Sequence, residues 1–550
     1  MKFVAAAAAA PGSVGRLSGL AARQDHDTEL QRLTLAARLR CSRGGTGGVA
    51  ASALEGEEAL RRVRERWLAL APGTCAPSVA PPVALAAACV VLDALGEEDS
   101  PLLEWMAAEV VARVAAFDPE RPAAGAGASA YAHAAWRGPA ARLLHFVEAR
   151  VLRELPSLSP RALANLAALG YANFWARSAA RSSAPIAVPR PALNALRHEA
   201  ACRLSEFAVA EVCSLVAGLA GAGALDETLL SVARHAVDGL SSRQDLLQPN
   251  DGAASLPHVL GELGPCALDS PRPGAAPTIV AEYPEAFVLG KPPEWSCTVR
   301  AASGSDAKHP RLVDFIAGIA GAWPISRDAS VDHGLVHRLD LPVSGALLVA
   351  KTYHGLWRLR LELCAREVTK QYLLLCYGLM PLSCWLQIDV PLRLQRLRAT
   401  GRSVRSHASA CEREGRPANT VATAVAHFSG PPGEGKNYSL VVACPLTGRT
   451  HQIRCHLALL GHPLVADLQY GGNHTSWCQR VFLHCLALGF LDPGNVRREV
   501  HAPLPPDLQA AMVSLVSADE ASRQAVAVAL GGRIPAVCSH GHAEGAEKLP

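Results

Sequence analysis

The stretch GLVHRLDLPVSGALLVAKT (residues 334–352) decides the fold of the C-terminal half of this chain. Its later part, from Gly345 to Val349, is an uninterrupted run of small and apolar residues, which is typical of a buried strand. A proline and a serine just before this run indicate a turn. Asp340 therefore lies at the mouth of an apolar strand, where its carboxylate either caps the turn or takes part in chemistry.

Further short β-like runs surround this stretch, at residues 287–289 and 372–375, and they alternate with helical and turn-rich segments. This mixture predicts a mixed α+β domain over residues 277–510. One more helix is expected at 508–516. The remainder, residues 511–550, contains Gly, His and Glu, and we expect a disordered C-terminal tail.

Residues 50–250 have a different texture, rich in Ala and Leu with apolar residues at helical spacing. The offsets i, i+3, i+4 and i+7 recur in three sets: Leu163, Leu166, Ala167 and Gly170; Val209, Val212, Cys213 and Val216; Leu85, Ala88, Cys89 and Leu92. A partner helix is predicted from Leu229, Val232, Ala233, Ala236, Val237 and Leu240. Paired helices recurring in this way predict an all-α region, either an α-solenoid or an irregular bundle. Residues 251–276 then collect Pro, Gly, Ser and Asp, which indicates a linker.

The composition excludes several classes of protein. In 550 residues, 53 Lys and Arg stand against 49 Asp and Glu, so the net charge of +4 excludes a histone-like or an acidic protein. The 16 cysteines form no C-x-x-C pair, which favours reduced thiols. The uncharged run from Trp67 to Leu92 is interrupted by prolines, so no membrane span is predicted.

The first 24 residues contain Lys2, Arg16 and Arg23 and no acidic residue, which is typical of an organelle transit peptide. A mitochondrial or plastid location is the corresponding expectation. A short secretory signal and an Ala-rich disordered start are the alternatives for this segment. Without targeting to an organelle, the expected location is the cytoplasm or the nucleus.

Residues 334–352 resemble the signature of RluA-type pseudouridine synthases, which consists of His337-Arg338-Leu339-Asp340, a Ser-Gly turn and an apolar strand ending in Ala-Lys. Val343 stands where that family has Thr. Further blocks resemble the family in the same order, at residues 282–293, 370–378, 415–420, 445–471 and 482–505. Residues 81–96 and 158–170 resemble, more loosely, the octotricopeptide-type helical repeats of organelle RNA-binding proteins.

This resemblance implies that the α+β domain has a mixed, largely antiparallel sheet. It also implies an isomerase that converts uridine to pseudouridine in structured RNA, either rRNA or tRNA. The reaction breaks a C1′–N1 bond and makes a C1′–C5 bond without net redox change, so no cofactor and no metal are expected. The resemblance implies that Asp340 is the catalytic carboxylate, that Arg454 pairs with it, and that Tyr372 packs on the base. For each of these three residues an ordinary structural role is the alternative.

The same resemblance implies a set of residues that contact the substrate. Arg338 would fill the space left by a flipped base, and Leu483 would seal the base pocket. The remaining candidates for substrate contact are His337, Arg449, Thr450, His451 and Gln452. A dense basic stretch is expected either to bind phosphate or to be an ordinary solvated loop: Arg393, Arg396, Arg398, Arg402, Arg405, Arg413 and Arg416.

The main rival to an enzyme is an RNA-binding maturation factor whose inactive synthase domain serves as an RNA clamp. The residue types at Asp340, Tyr372 and Arg454 favour the enzyme, because a pure binder needs no enclosed carboxylate. RNA is the expected partner in both cases, and no membrane is expected. The helical region is expected to dock RNA or protein.

Overall fold

The computed structural model of the chain describes residues 149–168, 191–239, 276–297, 309–319, 323–398, 404–410, 415–533 and 547–548. The chain divides into two compact units, Met1–Ser157 and Leu158–Pro550. In the first unit, the described residues form a helix over 149–154 and a 3-10 turn at Leu155–Ser157. The predicted transit peptide, the helical stripe that begins at Leu85 and nearly all of the predicted linker lie outside the described residues.

The second unit begins with four helices, which we call the helical layer: residues 160–168, α1 (Pro191–Cys202), α2 (Val209–Gly221) and α3 (Glu227–Asp238). The predicted stripe of α2 is buried throughout, from Val209 to Val216. Gly218 allows close packing, since a Cβ at this position would lie 2.5 Å from the carbonyl carbon of Ala167. The helical prediction is confirmed over these residues, whereas the repeat and the octotricopeptide resemblance stay predictions.

The predicted stripe of α3 needs one correction. Leu229, Ala233 and Val237 are buried as expected, but Val232 is 39% exposed and Leu230 is buried instead. Residues three and four apart share a helix face, and Leu230 completes that face with Ala233 and Val237. Asp226 caps the helix, because its carboxylate accepts a hydrogen bond of 2.9 Å from the Leu229 N–H.

The helical layer packs on α5 (Tyr353–Ala365), a helix of the α+β part, through α2 and α3. Arg234 of α3 donates two hydrogen bonds of 2.9 Å to Glu362, whose side chain is 1% exposed. Arg358, equally buried, lies 3.1 Å from Asp238 at the end of α3. The two parts of this unit are therefore joined by ion pairs between buried charges of α5 and partly exposed charges of α3.

The α+β part supplies the strands, in chain order: β1 (Thr278–Glu282), β2 (Ala286–Lys291), β3 (Ser344–Ala350), β4 (Thr369–Tyr377), β5 (Leu386–Ile388), β6 (Leu392–Arg398), β7 (Val404–Ala410), β8 (Thr420–Ser429), β9 (Asn437–Pro445), β10 (Leu483–Leu491), β11 (Arg497–His501), β12 (Val516–Ser517) and β13 (Glu547–Lys548). Its helices are α4 (Leu312–Ile319), α5, α6 (Gln452–Leu459), α7 (Pro506–Val513) and α8 (Glu520–Leu530). Short 3-10 segments lie at Pro324–Arg327 and Ala329–Gly334.

Within the described ranges, eleven strands form one sheet in the order β1-β2-β3-β10-β4-β9-β8-β5-β13, with β11 beside β10 and β12 beside β8. The pairs β3–β10 and β5–β13 are parallel, and the other pairs are antiparallel. Strands β6 and β7 form a separate antiparallel hairpin. The predicted α+β class with a mixed, largely antiparallel sheet is confirmed.

The predicted strand after Asp340 is β3, in which every residue is buried. Its neighbour β2 is the predicted run at 287–289, and Phe287 pairs with Val349. A strand covered on both faces reads as a continuous apolar run rather than an alternating one, which explains why this segment was recognisable in the sequence. The third predicted run lies inside β4, two strands away.

The C-terminal edge differs from the expectation of a disordered tail. Helix α7 ends at Val513, β12 then adds two residues to the edge of β8, and α8 packs against the domain through Ala529. The Ser522 hydroxyl accepts a hydrogen bond of 3.0 Å from the His427 N–H. An alternating Ala and Val pattern with few large apolar residues made α8 hard to predict. No helix in the described part of the chain is long and apolar enough to span a membrane.

Candidate active site

Asp340 lies in a tight turn between the 3-10 segment at Ala329–Gly334 and β3. The Val343 N–H donates a hydrogen bond of 3.1 Å to the Asp340 carbonyl and closes the turn. Gly345 is required directly after it, since its φ is +122° and a Cβ would collide with the Cys485 carbonyl oxygen of β10. Val343, the departure from the family pattern, leaves the turn hydrogen-bonded and has a buried side chain.

The Asp340 carboxylate faces two cationic or titratable groups without a short contact to either. Its Oδ2 lies 3.6 Å from Arg454 Nη1 and 3.9 Å from His451 Nε2, and its side chain is 15% exposed. The guanidinium places a positive charge near the oxygens of Asp340. Because neither of the two groups makes a short contact with the carboxylate, its oxygens stay open to a ligand.

Arg454, at the start of α6, has two carboxylate partners. Its Nε and Nη2 donate two hydrogen bonds of 2.7 Å to Asp467, which is fully buried. The expected pair with Asp340 is an ion pair of 3.6 Å through Nη1, while the forked face of the guanidinium is used by Asp467. Asp467 aims the Arg454 side chain.

Tyr372, on β4, lies close enough to Asp340 for the carboxylate to act on the pKa of its phenol, and its contact with the base stays a prediction. Burial, together with the nearby Cys485 thiol and the Asp340 carboxylate, raises the pKa of Tyr372 well above its usual value of 10. The phenol therefore keeps its proton at neutral pH, so it can donate a hydrogen bond but is a weak acid and, in this neutral form, a poor base. Cys485 is its cross-strand partner on β10.

His451 caps the N-terminus of α6 in the left-handed region, with a φ of +57°. Its Nδ1 lies 2.9 Å from the Tyr470 hydroxyl, which in turn accepts a hydrogen bond of 2.7 Å from the Ala408 N–H. The Tyr470 proton is then free for Nδ1, which leaves Nε2–H facing Asp340. Burial lowers the pKa of His451, so its ring is neutral at pH 7.

Gln452 was expected to contact substrate, and the structure places it otherwise. Its side-chain oxygen accepts hydrogen bonds from the Thr447 hydroxyl and the Arg449 N–H, at 2.7 and 3.0 Å. Its amide nitrogen donates to the Asn419 carbonyl and the Thr420 hydroxyl, at 2.8 and 2.9 Å. Every hydrogen-bonding position of this amide is occupied by protein, so Gln452 holds the loop before α6 instead of binding a base.

His337 and Arg338 lie side by side and differ in environment. His337 Nε2 accepts a hydrogen bond of 3.2 Å from the Leu348 N–H on β3. Burial, with Lys370 nearby, lowers the pKa of His337 to about 3, so the ring is neutral and Nδ1 carries its proton. Within the described residues that Nδ1 has no partner. Arg338, two residues before Asp340, is exposed, and its contact with substrate stays a prediction.

The other predicted substrate contacts lie around this centre. Leu483 is buried in the same apolar cluster as Tyr372 and Ile453, so it forms part of the apolar wall of the candidate site. Arg449 is partly exposed and donates a hydrogen bond of 2.9 Å to the Pro417 carbonyl, and Thr450 is partly exposed next to it. These two stay predicted substrate contacts.

The basic stretch coincides with the hairpin β6–β7 and the turn after it. Arg393 is exposed on β6, and Arg416 is exposed where it bridges to Leu392. The side chains of Arg396, Arg398 and Arg405, on the two strands, lie outside the described part of the chain, as do Arg402 and Arg413 altogether. His407 of the hairpin stacks on Tyr470, with ring centroids 4.9 Å apart, so the hairpin is anchored beside His451.

Sequence reasoning missed three charged residues around Asp340. Asp467 and Lys291 lie inside blocks that resemble the family but were assigned no role, and Arg480 lies between two of these blocks. A signal for Asp467 was available, because a buried Arg needs a carboxylate and this residue follows the apolar run Leu464-Val465. Among the described residues, no group of three or more His, Cys, Asp or Glu side chains could hold a metal ion.

Residues 324–459 match the family model described as RNA pseudouridylate synthase. The chain is 35% identical over 183 residues to "Ribosomal large subunit pseudouridine synthase C" of Pasteurella multocida, covering 32% of this chain and 52% of the relative. It is 35% identical over 204 residues to "Uncharacterized RNA pseudouridine synthase" of Chloroflexus aurantiacus, covering 36% of this chain and 59% of the relative.

The chain thus spans about half the length of the curated relatives it matches. Among solved structures, "Human RNA Pseudouridylate Synthase Domain Containing 1" matches with a TM-score of 0.34 and 25% identity. That match covers 48% of this chain and 99% of the human chain. The names of both curated relatives and the description of the family model state a pseudouridine (pseudouridylate) synthase.

Proposed function

We propose, from the premise that the domain holding Asp340 belongs to the RluA-type pseudouridine synthase family, that this chain isomerises uridine to pseudouridine in RNA. The observation that supports this most strongly is the state of Asp340. Its carboxylate is enclosed, faces the Arg454 guanidinium at 3.6 Å, and has no short ionic contact with it. A carboxylate held in this way is ready to act on an incoming base.

The reaction requires little beyond that carboxylate. The C1′–N1 bond of uridine breaks, the uracil turns over, C5 bonds to C1′, and the proton on C5 is finally lost while N1 gains one. Asp340 attacks C6 of the ring in one route and assists departure of uracil from C1′ in the other. Both routes need an ionised carboxylate in an enclosed site.

The neighbours of Asp340 fit supporting roles. Tyr372, held as a neutral phenol, offers a flat face for the uracil ring and a hydroxyl that can donate a hydrogen bond to the base or the sugar. Arg454 places a positive charge 3.6 Å from Asp340 while Asp467 holds the guanidinium in place. Leu483 and Ile453 close an apolar wall against which a base can stack.

The target uridine has to leave its helix, because its reacting atoms are shielded in a stacked duplex. Arg338 is exposed directly beside Asp340 and is suited to occupy the vacated space. The relatives named for the large ribosomal subunit favour ribosomal RNA as the substrate, with transfer RNA as the second candidate. The exposed arginines of the β6–β7 region offer contacts to phosphate.

An inactive RNA clamp, the rival function, would need the basic surface and not the interior of the site. The position of Asp340 between Arg454, His451 and Tyr372 favours the enzyme, since an enclosed carboxylate weakens binding to a polyanion. The two functions predict different outcomes for one substitution at Asp340.

The test is a pseudouridine map of total and organelle RNA from cells lacking the endogenous chain, made by chemical adduct formation and reverse-transcription stops. The cells are supplied with the wild type, with Asp340→Ala, or with the surface control Asp519→Asn. Sites restored by the wild type and by Asp519→Asn but not by Asp340→Ala support the enzyme and name its substrate. An identical map for all three, with the Asp340→Ala protein folded and bound to RNA, contradicts the proposal and supports the clamp.

A further inference from the structure

We propose that Lys291 and Arg480 are positioning residues that fix the Asp340 turn by binding its three successive carbonyl groups. We call these two residues the positioning pair. The inference rests on the proposed function, because a turn needs such fixing only if its carboxylate has to meet a base in a defined position. Both residues bind the backbone of the turn, so they act on the reaction through it.

Lys291 holds the first and third carbonyls of the turn. Its ammonium, at the end of β2 and buried, donates hydrogen bonds to the Leu341 carbonyl at 3.1 Å and the Val343 carbonyl at 2.7 Å. The third donor binds the Pro292 carbonyl at 2.9 Å. Among the described residues no carboxylate lies within ion-pair distance of this ammonium. A buried ammonium used only by backbone carbonyls is costly, which indicates that the fixed turn matters.

Arg480 holds the middle of the turn from the other side. Its Nη1 donates to the Pro342 carbonyl at 3.3 Å, and its Nη2 donates to the Ser344 hydroxyl at 3.0 Å. Asp507, at the start of α7, holds the guanidinium through a hydrogen bond of 2.6 Å to Nε. The turn is therefore tied to the strand β2 through Lys291 and to the helix α7 through Arg480.

A directional chain of hydrogen bonds continues from Arg480 into the sheet. His484 Nε2 lies 3.0 Å from the Ala502 carbonyl, which can only accept, so this nitrogen carries the proton. Its Nδ1 therefore accepts from the Ser344 hydroxyl at 2.9 Å, while the Ser344 oxygen accepts from Arg480. Burial lowers the pKa of His484 to about 4, so its ring is neutral and these hydrogen bonds keep their direction at neutral pH.

The positive charge of Lys291 adds to its geometric role. Asp340 is close enough to Lys291 for its carboxylate to favour the charged ammonium and to act on the pKa of that group. The ammonium thus places a positive charge near Asp340 without forming a short ion pair that would occupy the carboxylate. The carboxylate therefore stays accessible beside this charge.

Burial lowers the pKa of Lys291 to about 8, which gives the proposal a pH signature. The charged or titratable groups that face Lys291 are Cys297, Arg480, Asp340 and Glu294. As the pH rises through 8 the ammonium loses one of its three donors and its charge. His451 has a lowered pKa and Tyr372 a raised one, so neither titrates between pH 7 and 9.

The experiment measures single-turnover pseudouridine formation and RNA affinity for the full chain, on an RNA site that the wild type modifies. The variants are Lys291→Met, Lys291→Arg and Asp507→Ala. The last removes a half-exposed side chain that holds Arg480, so it leaves the core intact. The matched controls are Lys351→Met and Arg498→Met, which remove cations bound to Glu282 and Asp492 away from the turn.

For Lys291→Met we expect a rate loss of about 10–100-fold with RNA affinity unchanged, as for other residues that orient a reacting group. Asp507→Ala should lower the rate by only about 3-fold, below that range, because it acts on the turn only through Arg480. The wild-type rate should fall above pH 8, and Lys291→Arg, which keeps its charge, should remove that fall. Both controls should keep the wild-type rate.

Wild-type rates and an unchanged pH profile in folded Lys291→Met and Asp507→Ala would overturn the positioning role while leaving the enzyme intact. Equal rate losses in the two controls would also overturn it, because the effect would then reflect stability alone. A wild-type chain that modifies no uridine overturns the proposed function itself, and the positioning role with it.

Discussion

Two enclosed carboxylates in this molecule, Glu362 and Asp340, are surrounded by cations in opposite ways. Glu362, on α5, is 1% exposed and receives two hydrogen bonds of 2.9 Å from Arg234. A second cation, Arg358, has its Nη2 3.7 Å from Glu362 Oε1. Asp340 is 15% exposed, and its nearest cation stays at 3.6 Å. The cations around Asp340 bind Asp467 and backbone carbonyls instead.

The difference separates a carboxylate that holds two parts together from one that is kept available. At Glu362 the charge is fully paired, and it joins the helical layer to the α+β part. At Asp340 the surrounding groups bind one another, so the carboxylate oxygens remain open. Residue type alone does not distinguish the two sites, whereas the partners of each cation do.

The largest expected effect comes from Asp340→Asn, which keeps the shape of the side chain and removes its charge. We expect the single-turnover rate of pseudouridine formation to fall by at least about 10³-fold, as for other residues that act directly on the substrate. The urea midpoint should stay at the wild-type value, since no short ion pair is lost. A rate within about tenfold of wild type would contradict the claim that Asp340, unlike Glu362, is kept available for the reaction.

Glu362→Gln should lower the stability and leave the reaction rate unchanged, which is the reverse of the pattern expected for Asp340→Asn. Loss of one partner of a buried ion pair leaves Arg234 and Arg358 unbalanced, so we expect a stability loss of about 3–5 kcal/mol. Below its unfolding transition the variant should keep the wild-type rate. Urea denaturation measures the first effect and the single-turnover assay the second.

The double variant Arg234→Met/Glu362→Met sharpens this point, because it removes both charges at once. It should recover a large part of the stability lost by Glu362→Gln. A double variant as unstable as the single one would mean that Arg234 and Glu362 are not coupled. The same variants report whether the helical layer is needed for folding or for choice of target.

The expected effect of Asp467→Asn lies between those of Asp340→Asn and Glu362→Gln, because both rate and stability should fall. The Arg454 guanidinium would lose its charged partner and turn toward Asp340, so the open carboxylate would become paired. We expect a rate loss of about 10–100-fold, typical of groups that orient a functional side chain, together with reduced stability. Unchanged turnover in this variant would show that Asp467 has no part in aiming Arg454.

The smallest effect concerns His354, which lies between Glu285 of the α+β part and Asp238 of the helical layer, at 2.9 and 3.1 Å. The hydrogen bond to Glu285 is the main reason that the pKa of His354 is raised. Its contribution is therefore complete below the unfolded pKa of about 6.5 and is lost as the pH rises through the folded value.

Thermal unfolding of the wild type and of His354→Gln checks this dependence. The stability advantage of the wild type over the variant should shrink from about pH 6 to about pH 8, by about 1 kcal/mol or less for a partly exposed pair. The rate of pseudouridine formation should show no matching change. An advantage that grows with pH would contradict the assignment of charge to His354.

The sequence predicted the elements whose signals are local. The apolar run of β3 and the turn at Asp340 are contiguous, so pattern and family resemblance both found them. The stripe of α2 has a helical period and is buried as predicted. Helix α8 was missed because its small residues carry a weak pattern, and its packing partner on β8 lies about ninety residues away.

The partners of the charged groups could not be predicted in the same way. Arg234 and Glu362 are 128 residues apart, and the sequence around either residue does not indicate the other as its partner. Gln452 stands in a motif that implied substrate contact, yet its amide is used by four protein groups that only the folded loop brings together. Side-chain partners depend on tertiary packing, which the spacing of residues does not encode.

The most direct measurement of the central claim is release of tritium from C5 when the purified chain acts on RNA labelled at C5 of uridine. The RNA is isolated from cells that lack the chain, and wild type, Asp340→Asn and Glu362→Gln are compared below their unfolding transitions. Release by the wild type and by Glu362→Gln, and none by Asp340→Asn, is the predicted result. Release by Asp340→Asn at the wild-type rate would contradict the claim that the open carboxylate does the chemistry.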